Sequence, residues 1–371
     1  MSPLRPRPAL EELPAYAAGK PPTPVEGLVA YKLSSNENPW GPVPAAQEAM
    51  AQVVGNVHRY PDAATVQLRD EISTALGVPA QDVVTGAGSL GALSQIINAF
   101  AGTGRDGVPD EVLYPWRSFE AYPILVTTAG AANVQVPNTA DGSHDLTAML
   151  EAITQRTRVI LLCSPNNPTG PSLTQAAVEE FLAEVPDDVV VVLDEAYREF
   201  QSDPEVAEGV RTYRAHPNVV ALRTFSKAHG LAGLRVGFSL SQQPITEQLR
   251  KVSVPFAVTE LAQVAAMATL QHPEQVSERV EKITAERDRV QAQLQQLGCW
   301  VPATQANFVW LNLGADTQRF VQECAAQALS VRGFAGEGVR VTIGEPEAND
   351  RFLRVCANFT PLPSAPSSPV P

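Results

Sequence analysis

Cysteine is scarce in this 371-residue chain and basic residues are outnumbered. There are four cysteines, 27 lysines and arginines against 40 aspartates and glutamates, and a net charge of −13. Cys163, Cys299, Cys324 and Cys356 form no Cys-x-x-Cys pair and no metal-ligand spacing. That argues against a zinc ribbon or a disulfide scaffold and leads us to expect reduced, structural thiols in a cytoplasmic enzyme with no bound metal. The acidic balance argues against nucleic acid or an anionic membrane as the main partner, because both reward a positive face. No apolar run approaches the roughly 18–20 residues that a membrane helix needs, and the first 16 residues hold no signal-like apolar core.

What is present is a chain that is 44% apolar and 18% charged, long enough for a large core and two or three domains. Residues 1–44 carry many prolines and little periodicity, which predicts an extended arm. Residues 361–371 (PLPSAPSSPVP) predict a disordered tail. Between them, short apolar or β-branched-rich runs at 82–85, 111–114, 158–163, 189–193 and 218–222 alternate with helical stretches, such as one ending near Phe100 and one at 174–184. Such runs fit strands covered on both faces, so the expected fold is α/β with a mostly parallel central sheet between helices. From about residue 259 the pattern turns helical, with a break near Pro273. It then offers strands at 306–313 and 339–343 around a helix near 317–329. The alternation in 339–343 (VRVTI) predicts a half-exposed strand. The expected division is an arm (1–44), a large domain (45–258), a bridging helix with a small α+β domain (259–360) and the tail.

Chemistry-bearing residues follow the buried runs. Ligands of open α/β sheets bind outside the carboxyl ends of the strands. Those ends carry Gly86-Ala87-Gly88-Ser89, then residues 116–122, then Asn166-Asn167-Pro168, then Asp194-Glu195-Ala196-Tyr197, then Ser226-Lys227. A glycine-rich turn entering a helix bares amides and suits a phosphate. Residues 86–91 (GAGSLG) also match the dinucleotide fingerprint, but the next strand closes on Tyr114-Pro115 where that motif wants an acid. Asp194 ends an apolar run, where a carboxylate is costly unless it meets a cation; alone it could equally cap a helix. Lys227 could be a desolvated nucleophile or a solvated surface lysine. Arg235 could grip a phosphate or form an exposed ion pair. Phe119 and Tyr122 could line a pocket or simply pack.

Together these residues resemble the class I/II (fold type I) pyridoxal-phosphate-dependent aminotransferases. Residues 224–237 (TFSKAHGLAGLRVG) are similar to that family's lysine motif, 164–170 (SPNNPTG) to its Asn-Pro motif and 193–197 (LDEAY) to its aspartate motif. The stretches 33–39 (LSSNENP), 59–62 (RYPD) and 339–344 (VRVTIG) resemble the histidinol-phosphate aminotransferase branch. Residues 116–123 (WRSFEAYP), 305–310 (QANFVW) and 338–350 (GVRVTIGEPEAND) resemble the actinobacterial aromatic (phenylalanine) aminotransferases. The resemblance implies pyridoxal 5'-phosphate as cofactor, held by Lys227 as a Schiff base, with Lys227 also shuttling the proton. It implies Asp194 at the pyridine nitrogen and Asn167 and Tyr197 at the phenolic oxygen. Ala87, Gly88, Ser89, Ser226 and Arg235 would hold the phosphate, and Phe119 would stack on the ring. Arg340 would bind the substrate α-carboxylate, with Arg332 and Asn36 as further substrate contacts, since both arginines could face a second phosphate. Tyr60 would complete the site of a second subunit, making the protein a homodimer. His229 and Gly333 depart from the branch pattern of tyrosine and proline. The function implied is transfer of an aromatic amino acid's amino group to 2-oxoglutarate. The alternatives are a histidinol-phosphate aminotransferase, a decarboxylase on the same scaffold, or a non-catalytic nucleotide-binding module.

Overall fold

The computed structural model describes residues 7–360, apart from 12, 14 and 17; the predicted tail lies outside the described residues. Its centre is a seven-stranded sheet built from β1 (Val83–Ala87), β2 (Glu111–Trp116), β3 (Ala132–Pro137), β4 (Thr157–Cys163), β5 (Val190–Asp194), β6 (Val219–Thr224) and β7 (Val236–Leu240). The spatial order is β1-β7-β6-β5-β4-β2-β3. All neighbours run parallel except β7, which is antiparallel to both β1 and β6. The α/β expectation with a mostly parallel sheet therefore holds, and the five apolar runs are strands to within a residue or two.

The period-two geometry of these strands explains why they read as continuous apolar runs. Val190 and Val192 of β5 pack into one core layer with Val159, Leu161, Val220 and Leu222. Val191 and Leu193 pack into the other with Ile160, Leu162, Val219 and Ala221. Each fully buried aliphatic side chain contributes about 1.5–3 kcal/mol relative to exposure, so neither face tolerates a stray polar group without a partner. The same alternation puts Asp194 on the face of Val190 and Val192, and Glu195 on the opposite one.

β3 and β7 escaped the sequence reading. β3 is an edge strand with mixed exposure. β7 (VGFSL) is fully buried but built partly from small residues, because the backbone of the helix Gly88–Phe100 crosses directly over it. The helices Gln175–Glu184, Glu260–Gln271 and Pro273–Gln296 match the expected segments, the first two capped by Thr174 and Thr259 hydroxyls and the last two separated at Pro273.

Beyond the long helix lies an antiparallel sheet of β8 (Phe308–Asn312), β9 (Arg332–Phe334) and β10 (Gly338–Thr342), with β10 central. Here one expectation fails. β10 is buried along its whole length, with Arg340 only 8% exposed. Its polar face turns toward the seven-stranded sheet rather than to water, and the arm segment closes over it through Thr342 N–H donating to Leu33 O at 2.9 Å. The arm is tied down further by parallel pairing of Tyr31–Lys32 with Leu329–Ser330.

A Cβ on Gly237 would lie 2.4 Å from the Ser89 amide nitrogen and 2.8 Å from the Arg223 carbonyl oxygen, both backbone atoms, whereas one on Gly233 would meet nothing within 4 Å. Gly237→Ala is expected to destabilise the protein by about 1–3 kcal/mol through overpacking, and Gly233→Ala to change it little. Thermal melts of the two variants check this, and equal midpoints would contradict the close approach.

Candidate active site

The carboxyl ends of β1, β2, β4, β5 and β6 open into a cavity of about 440 Å³. Its wall includes Ser89, Phe119, Asn167, Asp194, Tyr197, Ser226, Lys227 and Arg235 from the large sheet's loops. Asn36 enters from the arm, and Arg332 and Arg340 from the C-terminal sheet. Ala87 and Gly88 lie just before Ser89 at the helix entrance. Of the residues singled out from sequence, Tyr60 alone lies well apart from the cavity. It is 82% exposed and packs on Phe256, with ring centroids 4.6 Å apart.

One end is an anion cradle. Gly88 (φ +73°) opens the helix, and a Cβ there would lie 2.3 Å from a terminal nitrogen of Arg235. The guanidinium therefore rests against bare backbone, a close approach that only glycine permits. Arg235 itself holds a left-handed backbone (φ 56°), a conformation costing a non-glycine residue about 1–3 kcal/mol and typical of sites where function fixes geometry. Its Nη1 donates to Ser226 Oγ at 3.2 Å, and Thr224 Oγ1 donates to the same hydroxyl at 3.0 Å. Free amides, a helix positive end, two hydroxyls and an exposed guanidinium suit a phosphate monoester.

The middle of the cavity carries the two key titrating groups. Asp194 is 5% exposed; it accepts from Tyr122 Oη at 2.7 Å and weakly from the Ala196 amide at 3.3 Å. Burial pushes its carboxyl up to about 6, against the pull of those hydrogen bonds. Its sequence neighbour Glu195 is equally buried but fully paired, accepting from Arg223 Nε at 2.9 Å and from the Gly209 amide at 2.8 Å. Among the described residues no salt bridge reaches Asp194. The Lys227 amine donates to Ser35 O at 3.1 Å. Burial, then the Arg340 and Arg235 charges, bring its pKa down to about 7, with Glu37 opposing.

At the far end Arg340 donates to Asn167 Oδ1 at 2.6 Å and to Ser34 O at 2.7 Å, while its Nε is buried without a partner. Tyr197 accepts from Asn36 Nδ2 at 2.9 Å, and Asn36 is locked in turn by Thr342 Oγ1 at 3.0 Å. Asn36 thus grips Tyr197. Arg332 is held by Glu120, its Nη2 lying 2.9 and 2.7 Å from the two carboxylate oxygens.

Sequence reasoning missed two contributors. From sequence, Tyr122 reads as an aromatic that lines a pocket or packs. It is fully buried and does pack against Tyr114 and Phe119, but its hydroxyl serves Asp194; the available signal was that a buried tyrosine hydroxyl needs a partner. Glu120 carried no signal, because its partner lies 212 residues away.

Comparison with known proteins places this arrangement. The family model for aminotransferase class I and II matches residues 30–361. The aromatic amino acid aminotransferase of Streptomyces avermitilis is 54% identical over 353 residues, covering 95% of this chain and 97% of that protein. That of Thermobifida fusca is 48% identical over 353 residues, covering 95% and 96%. Among solved structures, histidinol-phosphate aminotransferase from Sinorhizobium meliloti in complex with pyridoxal-5'-phosphate superposes with a TM-score of 0.81 at 26% identity, over 88% of this chain and 90% of that one. With a family match that spans most of its length, the chain belongs to the class I and II aminotransferases.

Proposed function

We propose that the protein is an aromatic amino acid aminotransferase that works with pyridoxal 5'-phosphate and passes the amino group to a 2-oxo acid such as 2-oxoglutarate. The observation that carries this reading is a single cavity holding a lysine with a depressed pKa, a buried carboxylate that no protein cation pairs, and an anion cradle. The names of the relatives at 54% and 48% identity support the substrate class.

The residues fit the cofactor. The cradle of Ser89, Ser226 and Arg235, with Ala87 and Gly88 at the helix entrance, takes the phosphate. Asp194, which no salt bridge reaches among the described residues, would offer its carboxylate to a protonated ring nitrogen. Asn167, Tyr197 and Phe119 line the same cavity and would hold the ring, the first two as polar contacts and the last as an apolar one. When bound, pyridoxal phosphate supplies the electron sink that lets the Cα–H bond of an amino acid break.

The chain's own residues do the rest. Arg340, a buried guanidinium that lines the cavity and is held by neutral acceptors only, binds and orients the α-carboxylate. Lys227 would be the covalent anchor, and its Nζ would be the base that takes the substrate's Cα proton and gives it back. A pKa of about 7 leaves that amine close to half neutral at neutral pH, which a base needs. Tyr122 keeps Asp194 aimed, and Asn36 does the same for Tyr197.

We assign the division into residues 45–258 and 259–360, with the arm 1–44, to the large and small domains between which the cavity opens. The protein acts as a homodimer in which Tyr60 completes the neighbouring site. The exposed apolar residues Val57 (63%), Tyr60 (82%) and Val254 (69%) support such a contact surface. Four free, buried cysteines are in keeping with a cytoplasmic setting. Among the described residues no helix is long and apolar enough to cross a membrane.

Measured kcat/KM for L-phenylalanine and for histidinol phosphate, with 2-oxoglutarate as acceptor, is expected to favour phenylalanine; a strong preference for the phosphate ester overturns the substrate assignment. Lys227→Ala is expected to abolish turnover and the visible absorption of the lysine-bound cofactor while leaving the circular dichroism spectrum intact. A yellow, active variant refutes the anchor. In cofactor-free protein, reductive methylation of Lys227 should rise as pH climbs through about 7, where the amine loses its proton, while ordinary lysines respond near 10.5. Site-resolved mass spectrometry reads this, and a Lys227 profile matching the other lysines contradicts its desolvation.

A further inference from the structure

The cavity carries two arginines at facing positions. Arg332 and Arg340 are directly paired in register across the antiparallel strands β9 and β10, and both line the cavity. Like charges placed opposite one another repel, and the protein resolves this unequally. Arg340 is held by two neutral acceptors, Asn167 Oδ1 and Ser34 O, so it presents its full charge to the cavity. Arg332 is held by a carboxylate. Its Nε donates to Glu120 at 3.2 Å and its Nη2 to both Glu120 oxygens, in a pair whose side chains are 14% and 27% exposed. The guanidinium carbon also lies 5.4 Å from the Phe334 ring centroid. Glu120 sits between Phe119 and the helix Tyr122–Ala129, so the same turn that supplies an aromatic wall supplies the counter-charge.

We propose that Glu120 is a specificity-determining residue. It neutralises Arg332 and so leaves Arg340 as the one uncancelled cation of this register pair, at the subsite for the anionic group beside the amino-bearing carbon, which suits a carboxylate better than the phosphate ester that stands in its place in histidinol phosphate. This rests on the aromatic aminotransferase reading above. An α-carboxylate meets Arg340 beside a self-satisfied ion pair. A phosphate dianion meets the Glu120 carboxylate and must break a multiply bonded pair to reach Arg332. Selectivity then comes from a repulsive element as much as from an attractive one.

The test uses cofactor-loaded enzyme and the ratio of kcat/KM for histidinol phosphate to that for L-phenylalanine. Glu120→Gln and Glu120→Ala are expected to raise this ratio at least about tenfold, since like-charge juxtaposition is strongly unfavourable. Adding Arg332→Gln to Glu120→Gln should remove the gain. Calorimetric titration of inorganic phosphate into the loaded enzyme should show tighter binding in Glu120→Gln than in the parent, a readout that does not depend on turnover. Arg332→Gln alone, which strands the Glu120 charge, should lower the ratio. An unchanged ratio in both Glu120 variants, with cofactor absorption and fold retained, overturns the proposal. So does a gain that survives loss of Arg332. Should the parent enzyme already prefer histidinol phosphate, the aromatic reading fails, and the response of the ratio to Glu120 still judges the gate by itself.

Discussion

Two acids stand side by side at the end of β5, and strand geometry sends them in opposite directions. Glu195 enters the layer where Arg223 waits, and its charge is met within the protein. Asp194 continues the face of Val190 and Val192, where its partners are a tyrosine hydroxyl and one distant amide. A carboxylate in that position, raised to about 6 by burial, is a standing cost to the fold unless a cation arrives from outside. The cavity exists around that deficit. A ligand that brings a cation to this carboxylate would restore the balance.

The remaining charges are arranged around the same logic. Burial and the two arginines Arg340 and Arg235 make the Lys227 amine release its proton easily, while both arginines line the cavity, Arg235 at the cradle and Arg340 at the far end. The cation at one end suits a phosphate and the cation at the other suits a carboxylate, with a poised base between them. Arg332 alone is cancelled, by Glu120. The site therefore distinguishes charge by position rather than by total.

Cohesion of the site depends on residues far apart in the chain. Asn36 joins Tyr197 to Thr342, Arg340 joins Asn167 to Ser34, and Lys227 reaches the carbonyl of Ser35. Arm, large sheet and C-terminal sheet meet through hydrogen bonds that are buried and hence costly to leave broken. The left-handed backbone of Asn36 (φ 54°) is held in place by these partners.

Much of this was legible beforehand. The apolar runs at 158–163, 189–193 and 218–222 fit strands covered on both faces, and a parallel sheet built from them brings the residues that follow to one edge. That reasoning alone gathered Ser89, Asn167, Asp194, Tyr197 and Lys227, because strand period and parallel topology are local consequences of residue type. The burial of β10 was misjudged, because alternation marks a polar face without saying whether water or a second sheet meets it. β7 was overlooked because its small residues answer to a helix packed above them. Tyr122 as the partner of Asp194, Asn36 as the clasp on Tyr197 and Glu120 as the counter-charge of Arg332 lay beyond any local reading. In each case the pairing joins segments tens to hundreds of residues apart, and which acid meets which base is settled by the folded geometry.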